Sequence, residues 1–233
     1  MPNIIRYENA SCFDFLKTIE KNSVDLILID PPYEISRSTN FQNGEATGKD
    51  TDRFRISMDF GDWDKCFTGL DVVIKECFRI LKKGGTLICF YDLWKITELK
   101  TYFEKAKFKQ IRFIEWIKTN PVPINSKTNY LTNAREIAVS GIKKSKPTFN
   151  SVYDNAIYEE DGEIYKFPIC HDKGRFHPTQ KPKDLIKALI EKHSNEGDLV
   201  LDCFSGSGTT AVACFETNRN FVGCEINTEF FEK

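Results

Sequence analysis

An aspartate, two prolines and a tyrosine stand directly after a strongly apolar stretch of the chain. Residues 24–29 read Val-Asp-Leu-Ile-Leu-Ile, and Asp30, Pro31, Pro32 and Tyr33 follow. The prolines have no amide hydrogen for a strand ladder, so they predict a stiff loop at the end of a buried strand. Such a loop suits an exocyclic amino group on a planar heterocycle, because Asp30 and the Pro31 carbonyl each accept one amino hydrogen and Tyr33 stacks on the ring. The same residues also suit a plain strand end, with Asp30 as a cap and Tyr33 as packing.

A second group of residues that could bind a ligand lies near the end of the chain, where a short apolar strand meets a glycine-rich turn. The strand covers 199–202, and residues 203–210 read Cys-Phe-Ser-Gly-Ser-Gly-Thr-Thr. Glycines let a ligand approach the backbone closely, and Glu225 follows near the ~20-residue offset of a ribose-binding carboxylate. No lysine follows Gly208, which excludes a P-loop. The pattern predicts an adenosine cofactor without phosphates, with Glu225 on the ribose and the turn on an amino-acid tail. The alternative is a turn used only for packing.

A third stretch, His177-Pro178-Thr179-Gln180-Lys181-Pro182, precedes a predicted helix. The Thr179 hydroxyl can reach a carboxylate and the Lys181 ammonium can pair with one. The same residues also suit a simple helix start with proline in the first turn.

The composition limits the classes of function. The chain has 233 residues with 40% hydrophobic side chains, enough for one large core, and a formal charge of −1. That charge predicts that any contact with nucleic acid comes from local clusters. Eight cysteines form no C-x-x-C pair and the three histidines have no ligand-like partners, which predicts reduced thiols and no metal site. With no signal peptide and no membrane-spanning run, we expect a cytoplasmic protein.

The elements that must position these residues follow from periodicity and turn signals. We predict strands at 4–7, 24–30, 86–90, 199–202 and 221–224, an antiparallel pair at 108–118 and 136–140, and helices at 11–20, 64–81, 95–105, 182–194 and through Ala213. Residues 82–85, Lys-Lys-Gly-Gly, are predicted to be a helix C-cap and turn.

Two polar stretches interrupt this alternation. The polar composition of residues at about 34–58 predicts a mobile loop that lies along a substrate. The alternative is a disordered insertion. Residues at about 141–176 predict a small target-recognition insert, or else a surface excursion. We otherwise expect one domain over 1–233.

Taken in order, these motifs resemble the S-adenosylmethionine-dependent DNA amino-methyltransferases, in particular the circularly permuted β group. The likeness rests on Asp30-Pro31-Pro32-Tyr33, His177 to Pro182, Phe204-x-Gly206-x-Gly208 and Gly223-x-Glu225, in that order, with support from 80–85 and Trp116-x-Lys118. It covers nearly the whole chain except residues 34–57 and 141–175. The family often has an aspartate near the cofactor adenine where this chain has Asn9.

The resemblance implies an α/β fold: a Rossmann-like, seven-stranded, mostly parallel sheet with one antiparallel strand and helices on both faces. It implies catalysis by Asp30, Pro31, Pro32 and Tyr33. The residues expected to bind S-adenosylmethionine are Asn9, Asp30, Thr179, Lys181, Asp202, Phe204, Ser205, Gly206, Ser207, Gly208, Thr209, Thr210, Glu225 and Asn227. Those expected to contact DNA phosphates are Arg37, Arg53, Arg55, Lys127 and Lys143. Double-stranded DNA is the expected partner, with a homodimer and a cognate restriction endonuclease as further candidates and no membrane.

The expected target base depends on one residue. Relatives that methylate cytosine N4 often have serine before Pro-Pro, so Asp30 favours adenine N6, with cytosine N4 as the alternative. Glutamine methylases usually have asparagine at that position, which argues against methylation of protein or RNA. A silent DNA-binding subunit of a restriction system would be expected to have lost Asp30 or the glycine turn, and both are present.

Overall fold

The computed structural model describes residues 4–32, 67–121, 134–150, 164–170 and 180–233. The chain divides into a large unit of residues 1–31 and 69–233 and a small unit of residues 32–68. Most of the small unit, including the predicted mobile loop at 34–58, lies outside the described residues. The mobility of that loop and the recognition role of 141–176 stay predictions.

In the described residues, eight strands form one sheet, which belongs to the large unit. They are β1 (Ile4–Asn9), β2 (Val24–Ile29), β3 (Leu81–Tyr91), β4 (Lys109–Lys118), β5 (Arg135–Ile142), β6 (Ile164–Phe167), β7 (Leu199–Asp202) and β8 (Asn220–Glu225). Their order in the sheet is β1-β8-β7-β2-β3-β5-β4-β6. Only β5 runs antiparallel to its neighbours, and it pairs with β4 as the sequence predicts. The expected sheet had seven strands. The additional β6 has only four residues, too few for a periodic signal, and pairs along the outer edge of β4.

Helices lie in two groups that bury the two faces of the sheet. They are α1 (Cys12–Thr18), α2 (Leu70–Ile80), α3 (Ile96–Lys105), α4 (Lys183–His193), α5 (Thr209–Glu216) and α6 (Thr228–Phe231). Helix α2 packs against α1 and α3, whereas α4 packs against α5. Leu26 and Leu28 of β2 join the core with α4 and α5, and the alternating Ile27 and Ile29 are just as buried. Burial of both sets explains why β2 has a continuous apolar run. No helix in these ranges is long and apolar enough to cross a membrane.

Two predicted elements differ from the structure besides the missed β6: the helix predicted at 64–81 begins only at Leu70, and residues 82–85 belong to a strand. They form the first part of β3 rather than a helix C-cap and turn. Gly84 has φ +87°, and its amide donates to the carbonyl oxygens of Lys143 and Lys144 at 2.8 Å each. A tertiary backbone contact therefore holds the two glycines in an irregular strand, with a register shift against β2.

The register of the parallel strands decides which chain segments meet. Ile27 of β2 pairs with Leu201 of β7, Asp202 of β7 pairs with Gly223 of β8, and Asn9 of β1 pairs with Glu225 of β8. The carboxyl ends of these four strands therefore lie along one edge of the sheet, where open α/β sheets bind their ligands.

Candidate active site

Asp30 follows β2 at this edge and presents its two carboxylate oxygens differently. Oδ2 accepts a hydrogen bond from Lys181 Nζ at 2.5 Å. Oδ1 is buried and has no hydrogen-bond partner among the described residues. The side-chain oxygen of Gln180, the residue before Lys181, is also buried and without a hydrogen-bond partner among the described residues. Because buried acceptors are nearly always satisfied in folded proteins, an unpaired carboxylate oxygen at a ligand-binding edge indicates a place for a donor from a ligand.

Lys181 also contacts a second carboxylate that the sequence analysis did not assign to the site. Its Nζ lies 3.2 Å from Glu136 Oε2, close enough for an ion pair but outside hydrogen-bond geometry. The other oxygen, Glu136 Oε1, lies 2.6 Å from Lys118 Nζ. The pairing of Lys181 with a carboxylate was expected, but Glu136 was missed. Its only signal in the sequence was a carboxylate near the start of an apolar strand.

Asp202 ends β7 and is satisfied by the turn that follows it. Its Oδ1 accepts from the Phe204 amide at 2.9 Å, and its Oδ2 accepts from the Thr210 hydroxyl at 2.7 Å. The Ser205 hydroxyl donates to the Asp202 carbonyl oxygen at 3.0 Å. Gly206 and Gly208 have φ +49° and +70°, a region that favours glycine. The turn is thus held in place from below by Asp202. The hydroxyls of Ser207 and Thr209 lie 2.8 Å apart at its far end.

Glu225 connects this turn to the end of β8. Its Oε2 accepts from the Gly206 amide at 2.7 Å and its Oε1 from the Asn227 amide at 2.8 Å. Each oxygen keeps lone pairs for further donors. The Asn227 side chain caps α6, and the Asn9 side-chain amide donates to the carbonyl oxygens of Glu225 and Ile226 at 2.8 and 3.2 Å. The predicted cofactor contacts of Asn9 and Asn227 stay predictions, and in the structure both side chains hold the turn around Glu225.

The electrostatics of the edge are set by buried carboxylates. Burial raises the pKa of Asp30, and Glu136 adds to the rise, although Lys181 opposes it. Burial raises the pKa of Asp202 to about 7, helped by the charges of Asp30 and Glu225 and opposed by the hydrogen bonds from Thr210 and Phe204. Because the charge of Asp30 contributes to the raised pKa of Asp202, the two predicted half-sites, 172 residues apart in the chain, lie within electrostatic reach of each other.

The predicted contact of Lys143 with a DNA phosphate is wrong. Its ammonium is buried and donates to Asn22 Oδ1 and to the carbonyl oxygens of Arg79 and Leu81, at 2.8, 2.9 and 2.6 Å. An ammonium has three hydrogens, so none remains for a phosphate. Lys143 therefore ties the end of α2 to the loop after β5. The predicted site residues Tyr33, Arg37, Arg53, Arg55, Lys127 and Thr179 lie outside the described residues.

Comparison with known proteins assigns this arrangement to a family. Residues 24–233 match the family model described as DNA methylase. The chain is 31% identical over 237 residues to the type II methyltransferase M.HinfI of Haemophilus influenzae, spanning 96% of this chain but only 65% of that protein. It is 30% identical over 238 residues to the type II methyltransferase M2.MboI of Moraxella bovis, spanning 96% of this chain and 83% of that protein.

Solved structures give the same fold. The M1.HpyAVI–SAM complex superposes with a TM-score of 0.72 at 26% identity, covering 97% of this chain and 95% of that one. The cytosine-N4-specific PvuII DNA methyltransferase superposes with a TM-score of 0.73 at 16% identity, covering 97% of this chain and 83% of that one. The second likeness concerns the fold alone.

Proposed function

Because the chain belongs to the DNA methylase family, we propose that it transfers a methyl group from S-adenosylmethionine to the N6 amino group of adenine in a short specific DNA sequence. One observation carries the proposal. The Asp30 carboxylate keeps a buried, unpartnered oxygen among the described residues, at the sheet edge that also holds the glycine turn. An amino-methyltransferase needs a hydrogen-bond acceptor for the target amine close to the turn that binds its cofactor.

The residues at this edge fit S-adenosylmethionine. Glu225 has free lone pairs for the two ribose hydroxyls, and the exposed apolar side chain of Ile226 stands next to it for a purine face. A Cβ built on Gly208 would meet no atom within 4 Å, so the turn is open on its outer side. Asp202 holds the turn through the hydrogen bonds from Phe204 and Thr210, and its own predicted contact with the cofactor stays a prediction. When bound, this cofactor supplies a methyl group on a sulfonium, whose sulfur keeps the bonding electrons as the methyl leaves.

The role of the protein at the target amine is to position it and to accept hydrogen bonds from it. An aromatic amino nitrogen is a poor nucleophile because its lone pair is delocalised into the ring. Asp30 Oδ1 accepts one amino hydrogen and the Pro31 carbonyl accepts the other, which favours a pyramidal nitrogen with its lone pair directed at the methyl group. The base must first leave the duplex, and stacking on Tyr33 is its predicted support.

The choice of adenine rests on Asp30 itself. Family members that methylate cytosine N4 often have serine before Pro-Pro, and this chain has aspartate. The fold does not distinguish the bases, since the cytosine-N4-specific PvuII methyltransferase superposes well. Cytosine N4 is therefore the competing outcome of the test below.

The partners follow from the same family. DNA is the substrate, held by phosphate contacts that position the strand without reading its sequence. For these contacts Arg37, Arg53, Arg55 and Lys127 stay predictions. The relatives are named type II methyltransferases and come from bacteria. These names support a cognate endonuclease and a bacterial or phage-encoded cytoplasmic enzyme, and a homodimer stays part of the proposal.

The deciding experiment combines product analysis with cofactor binding. DNA from an unmethylated host is treated with the protein and S-adenosylmethionine, digested to nucleosides and analysed by mass spectrometry. We expect N6-methyladenine from the wild-type chain. For Asp30→Ala we expect transfer reduced by at least ~10²-fold, because an acceptor aimed at the reacting amine is lost. Calorimetry should show that the variant still binds S-adenosylmethionine, since Glu225 and the turn are intact.

The matched control is Asp184→Asn, which removes an exposed carboxylate in the first turn of α4. It should transfer methyl groups at the wild-type rate. N4-methylcytosine as the product would replace adenine by cytosine in the proposal. Full turnover by Asp30→Ala would remove Asp30 from the chemistry altogether.

A further inference from the structure

Asp30 is one end of a row of four alternating charges. Lys181 bridges Asp30 Oδ2 at 2.5 Å and Glu136 Oε2 at 3.2 Å, and Lys118 lies 2.6 Å from Glu136 Oε1. Lys181 is 7% exposed, Lys118 14%, and the two carboxylates 24% each. The row joins β2, β4, β5 and the segment before α4. Charges this far from water interact strongly, so the position of each one depends on the others.

The surrounding strands hold the row in place. Glu136 of β5 pairs in register with Trp116 of β4, two residues before Lys118. The Lys118 ammonium lies 5.1 Å from the centre of the Trp116 ring, and the Lys181 ammonium lies 5.0 Å from that of Phe90. Aromatic faces stabilise ammonium groups that have lost water. Both lysines are thus restrained on the apolar side as well as by the carboxylates.

Sharing Lys181 has a consequence for Asp30. A lysine devoted to Asp30 alone would neutralise that carboxylate and weaken it as an acceptor. Here the Lys181 ammonium lies between the two carboxylates, so Glu136 also interacts with its positive charge. Only Oδ2 is engaged, and Oδ1 keeps no partner among the described residues.

We propose that Glu136, supported by Lys118, is a positioning residue that holds Lys181 between two carboxylates, so that Asp30 keeps one oxygen for the target amine and takes up its proton. This inference rests on the proposed methyl transfer and deepens it. When the amino nitrogen uses its lone pair for the new bond to carbon, it becomes positively charged and must release one hydrogen as a proton. Asp30 Oδ1 accepts that proton, becomes a neutral carboxyl group and later passes the proton to water.

The titratable groups that face Asp30 agree with this division of roles. They are Lys181, Glu136 and Lys118, with Asp202 on the neighbouring strand and the buried thiol of Cys89 on β3. Burial raises the pKa of Asp30 and Glu136 raises it further. Burial also acts on Glu136, but Lys181 and Lys118 outweigh it and lower the pKa of that residue. Of the two carboxylates that share Lys181, Asp30 is therefore the proton acceptor and Glu136 stays ionised.

The test is the substitution Glu136→Gln, which keeps the shape and removes the charge. Asp30 then loses the negative charge of Glu136 from its surroundings while the Lys181 ammonium remains, so Asp30 should titrate at a lower pH than in the wild type. Two readouts report this shift: the ¹³C NMR titration of the carboxyl carbon, assigned through Asp30→Asn, and the acid limb of the single-turnover rate of methyl transfer. Both should move to lower pH, and calorimetric affinity for S-adenosylmethionine should stay the same.

Two further variants separate the proposed role from general damage. Glu136→Gln leaves Lys118 without its partner, so the double variant Glu136→Gln/Lys118→Met removes both charges together and should show a shift of the same sign. Glu115→Gln is the matched control, because Glu115 pairs with Arg135 across the same two strands at 2.9 Å. It should leave both readouts at wild-type values.

The outcomes separate this inference from the proposed function. An Asp30 titration in Glu136→Gln that overlays the wild-type curve would overturn the inference, and so would a shifted titration with an unchanged acid limb. A wild-type chain that methylates no DNA would defeat the proposed function. The NMR titration would still decide whether Glu136 controls Asp30.

Discussion

Asp202 provides the sharpest prediction about the stability of this fold. Its side chain is 4% exposed at the end of β7. Burial raises its pKa from 3.8 to about 7, and the carboxylates of Asp30 and Glu225 contribute to the rise. The hydrogen bonds from the Phe204 amide and the Thr210 hydroxyl oppose this effect without cancelling it. The folded chain therefore binds a proton at Asp202 more tightly than the unfolded chain does.

The sign of the pH dependence follows from linkage. Because the folded pKa lies above the unfolded one, the stabilisation is fully present below pH 3.8 and is lost as the pH rises to about 7. At ~1.4 kcal/mol per pH unit, Asp202 should cost the wild-type fold about 3 kcal/mol between pH 5 and pH 8. Asp202→Asn has no proton to lose and avoids this cost. Its free energy of unfolding, compared with that of the wild type, should therefore rise by the same amount over this interval.

Urea unfolding of both proteins at pH 5, 6, 7 and 8 measures this difference directly. Asp184→Asn removes an exposed carboxylate from the first turn of α4 and controls for the change in total charge. It should alter the free energy of unfolding by ~1 kcal/mol at most. A difference between Asp202→Asn and the wild type that stays constant from pH 5 to pH 8 would refute the argument that burial controls this carboxylate.

Three further substitutions test other parts of the structure. Gly223→Ala should lower the free energy of unfolding in urea by at least ~1–3 kcal/mol, because the new Cβ would lie 2.5 Å from the Asp202 carbonyl oxygen. Unchanged stability would contradict the packing of β7 and β8. Lys143→Met should lower the free energy of unfolding in urea by about 3 kcal/mol, because it removes the three hydrogen bonds of a buried ammonium. Its DNA affinity in gel shift should equal that of the exposed control Lys144→Met. A selective loss of DNA affinity would restore the phosphate contact. Glu225→Ala should weaken S-adenosylmethionine binding in calorimetry by at least ~10-fold, because the charged acceptor for the two ribose hydroxyls is lost. Wild-type affinity would exclude a role for Glu225 in binding the ribose.

Several features of the fold could be predicted because they depend on neighbouring residues alone. Apart from Asp25 at its start, the run 24–29 is apolar on both faces, which predicts a strand covered on both sides. Pro31 and Pro32 determine where it ends. The helix at 183–193 and the strand at 199–202 were likewise found within one or two residues of their predicted bounds.

The errors have a different origin. Lys82–Gly85 has the sequence of a turn, yet backbone contacts with residues 143 and 144 draw it into β3. Strand β6 is stabilised by pairing with β4 and by the burial of Tyr165, and four residues give no periodic signal of their own. Lys143 stands in a lysine-rich stretch typical of a solvated surface, but its ammonium found three acceptors in the interior.

The sequence by itself determined the chemical groups: a carboxylate before two prolines, a glycine turn and a lysine before a helix. Only the tertiary structure decided which of them touch. Asp30 and Lys181 are 151 residues apart in the chain but form one ion pair, and Glu136 of β5 joins the same group. Electrostatic and hydrogen-bond energies depend on distance through space, and that distance is set by the order of strands in the sheet rather than by spacing along the chain.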